Sequence, residues 1–248
     1  MENATSFGAQ ADVYRAARPS YPDELFDWIA HQAPGRANAW DVGTGSGQAA
    51  QALAMRFSNV AATDIDDAQI AAAQPHPQIR YAKAEAHASG LDDSNMDCIT
   101  VATALHWFDH ARFWKEVRRV ARPGAIFCAW TYHRAIADDD VQSELMGPVQ
   151  DLVEPYWAEG NRLSWRGYSA DELGMPFDVL QTPEFICELD WTAAQITAFL
   201  NSWSAHKKAR EDGHTAALAD IENRALSVLG DKKRRFVMPL NMLAARIA

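Results

Sequence analysis

Between Ala39 and Gln48 the chain reads Ala-Trp-Asp-Val-Gly-Thr-Gly-Ser-Gly-Gln, and few folds accept such a run. A short apolar strand ends on an acid and breaks into alternate glycines. Beyond the break Ala49, Ala50, Leu53, Ala54 and Phe57 recur at helical spacing. Strand, glycine turn and helix in that order bring bare backbone up to a ligand at the carboxyl end of a parallel sheet. Glycine suits the turn because it tolerates positive φ and carries no Cβ to hold a ligand off.

The spacing narrows the ligand. A dinucleotide fingerprint reads G-x-G-x-x-G and brings a helix N-terminus to a pyrophosphate. Here Gly43, Gly45 and Gly47 give G-x-G-x-G, with Asp41 closing the strand. A carboxylate there repels a pyrophosphate and suits the ammonium of an amino-acid moiety, directly or through water. The run resembles the D-x-G-x-G-x-G motif of class I S-adenosylmethionine-dependent methyltransferases. A glycine-rich turn without a ligand is the plain alternative. The resemblance implies S-adenosyl-L-methionine as cofactor, S-adenosyl-L-homocysteine as product, and cofactor contacts from Asp41, Gly43, Thr44, Gly45 and Gly47.

Further motifs stand on either side. The opening, Phe7 to Pro22, matches F-x-x-x-A-x-x-Y-x-x-x-R-P-x-Y-P. Later come Ala104-Leu105-His106-Trp107-Phe108-Asp109, a Glu-Val-Arg-Arg-Val helix and Arg122-Pro123-Gly124. Together these resemble the methyltransferase subgroup containing the fungal trans-aconitate methyltransferase, over roughly the first 130 residues. That resemblance implies that Tyr14 and Arg18 fold over the methionine end of the cofactor. It also implies that Glu85 takes the adenine amine while the Ala86 N–H meets a ring nitrogen. Downstream the chain departs from the family, with Ser89-Gly90 where members often have Leu-Pro.

The residues themselves add to this. Asn59 to Thr63 reads as a strand ending at Asp64, about 20 residues past the turn, where a carboxylate accepts from ribose hydroxyls. N-capping of the next helix fits Asp66 or Asp67 better, so Asp64 is taken as the ribose ligand, with Ile65 against the adenine face. Gln78 to Lys83 and Met96 to Ala102 give two more strands, the latter apolar enough to be buried on both faces. Thr103, just beyond it, joins the cofactor set. His106 follows the fourth strand and faces the same crevice. An ordinary histidine pKa of about 6.5 lets it take a proton near neutrality, so it is the candidate catalytic residue; orienting the substrate and plain backbone bonding are the alternatives. Trp107, Trp130, Tyr132 and His133, at the ends of strands four and five, are candidate acceptor contacts alongside His106. Lys207 and Lys208 are further candidate counter-charges for an acidic acceptor.

Composition excludes some classes. A net charge of −10 over 248 residues argues against a nucleic-acid or anionic-membrane partner. Cys98, Cys128 and Cys187 lack metal-ligand or disulfide spacing and read as buried reduced thiols; no metal site is expected. No run reaches transmembrane length and no secretory leader is evident, so a soluble cytoplasmic protein is expected.

The expected fold is α/β, a doubly wound, mostly parallel seven-stranded sheet of the Rossmann-like methyltransferase type with a helical insertion after strand five and an antiparallel final strand. A single domain over 1–248 divides into cofactor-covering helices (1–35), a cofactor-binding core (36–132), a helical lid (133–181) bearing Tyr156, Trp157, Trp165 and Tyr168, and C-terminal strands and helices (182–248). Thr192 with Gln195 spells a capping box. Arg235 to Leu243 reads as the last strand, at an edge or bend because of Pro239. The function implied is methyl transfer to a small molecule, O-methylation of a carboxylic acid by family analogy. A non-catalytic cofactor-binding module and a nicotinamide-dependent oxidoreductase are the competing readings. Oligomeric state is not legible.

Overall fold

The computed structural model describes residues 20–248; Tyr14 and Arg18 lie outside the described residues. Helix α1 (Asp23–Gln32) leads into β1 (Asn38–Val42), α2 (Gln48–Ala54), β2 (Asn59–Asp64), α3 (Asp67–Ala71), β3 (Ile79–Lys83) and β4 (Met96–Ala102). A 3-10 turn (Leu105–Trp107), α4 (His110–Val120) and β5 (Ala121–Tyr132) follow. The rest comprises β6 (Ile136–Ala137), α5 (Asp139–Val141), α6 (Gly147–Val153), α7 (Glu159–Arg166), β7 (Asp178–Leu180), β8 (Phe185–Trp191), α8 (Ala193–Asn201), α9 (Ser204–Ala209), α10 (Thr215–Leu229) and β9 (Arg234–Arg246).

These strands form one sheet whose main path runs β3-β2-β1-β4-β5-β9-β6, with β7 and β8 also paired to β9. Five strands are parallel, and β9 is antiparallel to its partners. The path has the seven strands expected, and the two strands beside it bring the total to nine. Strand order reverses between β1 and β4. At such a switch point the flanking connections leave on opposite faces and open a crevice at the strands' carboxyl ends.

Both faces are buried, and the strands show why. Ala39, Cys98, Ile126 and Cys128 belong to the core beneath α1, α2 and the C-terminal helices. Their neighbours Trp40, Ile99 and Phe127 belong to the opposite core with Phe113 and Val117 of α4. Alternation of period two thus sends one near-continuous apolar run into two cores. Asp97 is the polar exception in β4. Its Oδ2 accepts from the Ala37 and Asn38 N–H groups, each at 2.9 Å, and its Oδ1 from Arg122 Nη1 at 2.9 Å. One buried carboxylate so fixes the entry of β1 against β4 and β5.

Three expectations are corrected. Helix α4 ends at Val120, so Arg122-Pro123-Gly124 lies inside β5, where pairing with β4 is irregular and Gly124 takes φ 80°. Residues 133–181 contain two short strands as well as helices, both paired to β9. Pro239 sits in an interior strand. Its carbonyl accepts from His133 N–H at 2.8 Å as the chain leaves β5, and its missing N–H falls on that same side, in the gap between β5 and β6.

Asp97→Ala strands two backbone N–H groups and Arg122 at once. A loss of about 3 kcal/mol in unfolding free energy is expected in urea titration, with Asp97→Asn losing less.

Candidate active site

The glycine turn follows β1 at the switch point. Gly43, Gly45 and Gly47 have φ of 64°, 56° and 87°. A Cβ at Gly43 would lie 2.7 Å from Ala104 Cβ, and one at Gly47 would enter the Tyr81 ring. At Gly45 the nearest atom to such a Cβ is Gln69 Oε1 at 3.6 Å. Gly43 and Gly47 therefore let neighbours close in, whereas Gly45 keeps an open face.

Two carboxylates hold the turn. Asp64, at the tip of β2, accepts from Gly45 N–H at 2.8 Å through Oδ2 and from Asp66 N–H at 3.0 Å through Oδ1. Burial is the largest influence on this group and raises its pKa above the usual carboxylate value. Each oxygen keeps a second lone pair. Asp66, as expected, caps α3. Asp41 is 1% exposed beneath the turn, its oxygens accepting from Thr44 Oγ1 (2.6 Å) and Thr100 Oγ1 (2.8 Å). Burial pushes its pKa up to about 6 against those two hydroxyls. Its carboxylate thus faces the turn's own hydroxyl, so any influence on an ammonium passes through Thr44.

The adenine-side residues lie nearby in the chain. Ile65 stands 39% exposed beside Asp64. Glu85 is exposed, its Oε2 2.7 Å from His87 Nε2, and Ala86 packs against the α4 core. Where the family often has Leu-Pro, Ser89 N–H donates to Glu116 Oε1 at 2.9 Å, and Arg119 holds Glu116 from the other side. That arginine, ahead of Ser89, keeps the Glu116 pKa down at about 2. The Ser89-Gly90 loop is therefore anchored by a charged pair on α4.

The side expected to face the acceptor begins at Thr103, a β-branched residue at φ 54°. Such a residue tolerates that conformation only where its surroundings impose it. Its N–H donates to the Trp130 carbonyl at 2.8 Å, tying the end of β4 to β5. Leu105, wholly buried, anchors the 3-10 turn and leaves His106 and Trp107 on a cavity of about 420 Å³. Thr103, Thr131, Tyr132 and His133 line the same cavity, and Trp157, Trp165, Phe199 and Trp203 close its far wall. Helix α7 lies close over the turn through Gly160, where a Cβ would stand 3.2 Å from the His106 carbonyl.

Three expectations change. Trp130 is wholly buried, edge-on to Tyr21 and Phe26 at 5.4 and 5.9 Å, so it belongs to the core under α1 and not to the cavity surface. Burial, helped by His110, lowers the His106 pKa to about 4, so the ring is neutral and weakly basic at neutral pH. Lys207 and Lys208 do not line the cavity. Sequence reasoning missed Tyr168, whose Oη lies 2.8 Å from His106 Nδ1. It also passed over Arg134, a cavity residue with no ion-pair partner among the described residues. A hydroxyl-bearing aromatic in the insertion was the only signal for the first.

A cofactor with an adenosyl group fits this crevice. The Gly43–Gly47 cradle is one that a Cβ would fill, Asp64 offers spare lone pairs at its rim, and Ile65 gives an apolar face beside it. Residues 40–129 match the profile of a family described as methyltransferase domain. An uncharacterised methyltransferase of Mycobacterium tuberculosis is 32% identical, over 75% of this chain and 70% of its own. A solved structure from Anaeromyxobacter dehalogenans, described as a putative type II methyltransferase, is 37% identical with a TM-score of 0.84, covering 93% of this chain and 98% of its own. The chain belongs to the class I S-adenosylmethionine-dependent methyltransferases. A relative in Saccharomyces cerevisiae, described as a probable S-adenosylmethionine-dependent methyltransferase, is 27% identical over 84% of each chain. The methyltransferase has the Rossmann-like fold of its family and uses S-adenosyl-L-methionine as cofactor. Among the described residues, no helix is long and apolar enough to cross a membrane.

Because His106 titrates near 4 when folded and near 6.5 when unfolded, the unfolded chain binds its proton first as pH falls. Its contribution to stability is intact above about 6.5 and is lost as pH drops towards 4. Asp41 works the other way, since its raised pKa leaves the folded chain holding the extra proton between about 6 and 3.8. Comparing wild type with His106→Gln cancels that term. The wild type is expected to lose about 3 kcal/mol more than the variant between pH 7 and 4, in urea titrations across that range.

Proposed function

We propose that this methyltransferase methylates a small molecule held in the aromatic cavity, with a carboxylate oxygen as the nucleophile. The observation that carries the reading is the position of the cavity. Thr103 and His106 line it just past β4, the sheet neighbour of the strand that carries the glycine turn, so an acceptor there lies beside the cofactor crevice. Arg134 on its wall supplies a cation for an acid. The opening and Ala-Leu-His-Trp-Phe-Asp motifs support kinship with the subgroup that methylates small carboxylic acids.

In this reading Asp64 accepts from the ribose hydroxyls with its spare lone pairs, and Ile65, Glu85 and Ala86 receive the adenine. Asp41 tunes the turn through Thr44, while Tyr14 and Arg18 reach the methionine end. Residues 133–181 act as the lid, and Trp107, Tyr132 and His133 contact the acceptor. When bound, the cofactor supplies a methyl group already activated by a positive sulfur. The protein therefore needs no strong acid. Holding the oxygen in line about 3 to 3.5 Å from the methyl carbon is worth about 7 to 11 kcal/mol. Transfer of that methyl to a carboxylate would give a neutral ester and a neutral thioether. No proton moves, so a weakly basic His106 is no handicap; it serves to orient the acid. The indoles of Trp157, Trp165 and Trp203 exclude water from the far end.

Two measurements test this. Asp64→Ala is expected to weaken S-adenosylhomocysteine binding about tenfold or more by calorimetry, with the sheet still folded by circular dichroism. A panel of small acids, amines and phenols with S-adenosylmethionine is then read for thioether product by mass spectrometry. Turnover on acids and a loss of it in Arg134→Gln support the reading. Turnover confined to amines or phenols, or cofactor binding without turnover on any acceptor, overturns it.

A further inference from the structure

The contact between His106, on the cavity, and Tyr168, behind it in the chain's fold, joins residues 62 positions apart. Tyr168 follows α7 directly, after Gly167 turns the chain at φ 87°. It is 9% exposed, its ring stacks at 29° on the imidazole, and its Oη approaches Nδ1 to 2.8 Å. Which of the two atoms holds the proton decides what His106 can do.

The chemistry of the two neutral groups answers that. A phenol hydroxyl is a stronger acid than an imidazole N–H, and a bare imidazole nitrogen is a stronger base than a phenol oxygen. In the 2.8 Å contact the Tyr168 hydroxyl therefore donates and Nδ1 accepts. A neutral imidazole that accepts at Nδ1 carries its proton on Nε2. Nε2 has no partner among the described residues, and His106 lines the cavity. His110, the nearest other titratable ring, is turned away and bonds the Leu105 carbonyl through Nε2 at 3.0 Å.

We propose that Tyr168 is a positioning residue that locks His106 as the Nε2–H tautomer, so that His106 meets the methyl acceptor as a hydrogen-bond donor and cannot serve as its base. The role rests on the cavity being the acceptor site; the tautomer does not. Such a donor takes an oxygen or nitrogen lone pair and holds it still. Acceptors that must lose a proton to histidine, such as alcohols, are thereby disfavoured, and those that arrive with an available lone pair are favoured. Low basicity of the buried ring points the same way.

The test needs no acceptor. The ligand-free full chain, labelled with nitrogen-15, is examined near pH 7 by two-bond nitrogen–proton correlation, with His106 assigned by its loss in His106→Gln. The expected spectrum shows Nε2 protonated and Nδ1 bare. Tyr168→Phe keeps the ring and removes only the hydroxyl; the ratio of tautomers is expected to shift towards Nδ1–H by about tenfold, the effect of one hydrogen bond. A wild-type Nδ1–H signal overturns the proposal whether or not the variant folds. So does a folded Tyr168→Phe protein with an unchanged ratio. Failure of the acceptor screen would leave both spectra as they are, so the two ideas fail separately.

Discussion

A single hydrogen bond, from the Gly45 N–H to Asp64 Oδ2 at 2.8 Å, ties the loop after β1 to the tip of β2. The rest of the crevice is built around it. A second backbone bond, Thr44 N–H to the Thr63 carbonyl at 2.9 Å, runs alongside. From below, Asp41 draws Thr44 down through its hydroxyl. Two buried carboxylates, with Asp64 adding to the ionisation cost of Asp41, are tolerated because backbone N–H groups and hydroxyls meet their oxygens. The turn is thus shaped before any ligand arrives, and a ligand does not have to order it.

The cavity side obeys a different logic. Here the chain is held by apolar anchoring and backbone strain, not by charge. Thr103 sits at positive φ, Leu105 is sunk into the α4 core, and Gly160 lets α7 close over the turn. Those three features fix where His106 and Trp107 emerge. The histidine is kept neutral by burial, and Trp157, Trp165 and Trp203 line the same cavity. Methyl transfer from a sulfonium asks for approximation and exclusion of water, and the proposed reading assigns both to this cavity.

Much of this was legible from the residues. Strand β4 begins and ends where its apolar run does, and the Thr192–Gln195 capping box forms as spelled. Asp66 caps α3, leaving Asp64 for the crevice, as its place at a strand end indicated. Other features could not be read. Strands β6 and β7, two and three residues long, exist only through pairing with β9. Helix α10 buries Leu218, Ala225 and Leu229 around a polar Glu222, too thin a stripe to announce itself. Trp130 was placed at the cavity because alternation locates a face but not the depth at which a strand leaves the core. Tyr168 was missed as a partner of His106 because their contact is wholly tertiary.

The most direct test is a crystal structure with S-adenosylhomocysteine bound. If the account is right, the ribose hydroxyls lie on Asp64, the backbone of Gly43–Gly47 follows the amino-acid portion, and the thioether sulfur faces the wall formed by Thr103 and His106. A ligand bound elsewhere, or a sulfur walled off from the aromatic cavity, would contradict it.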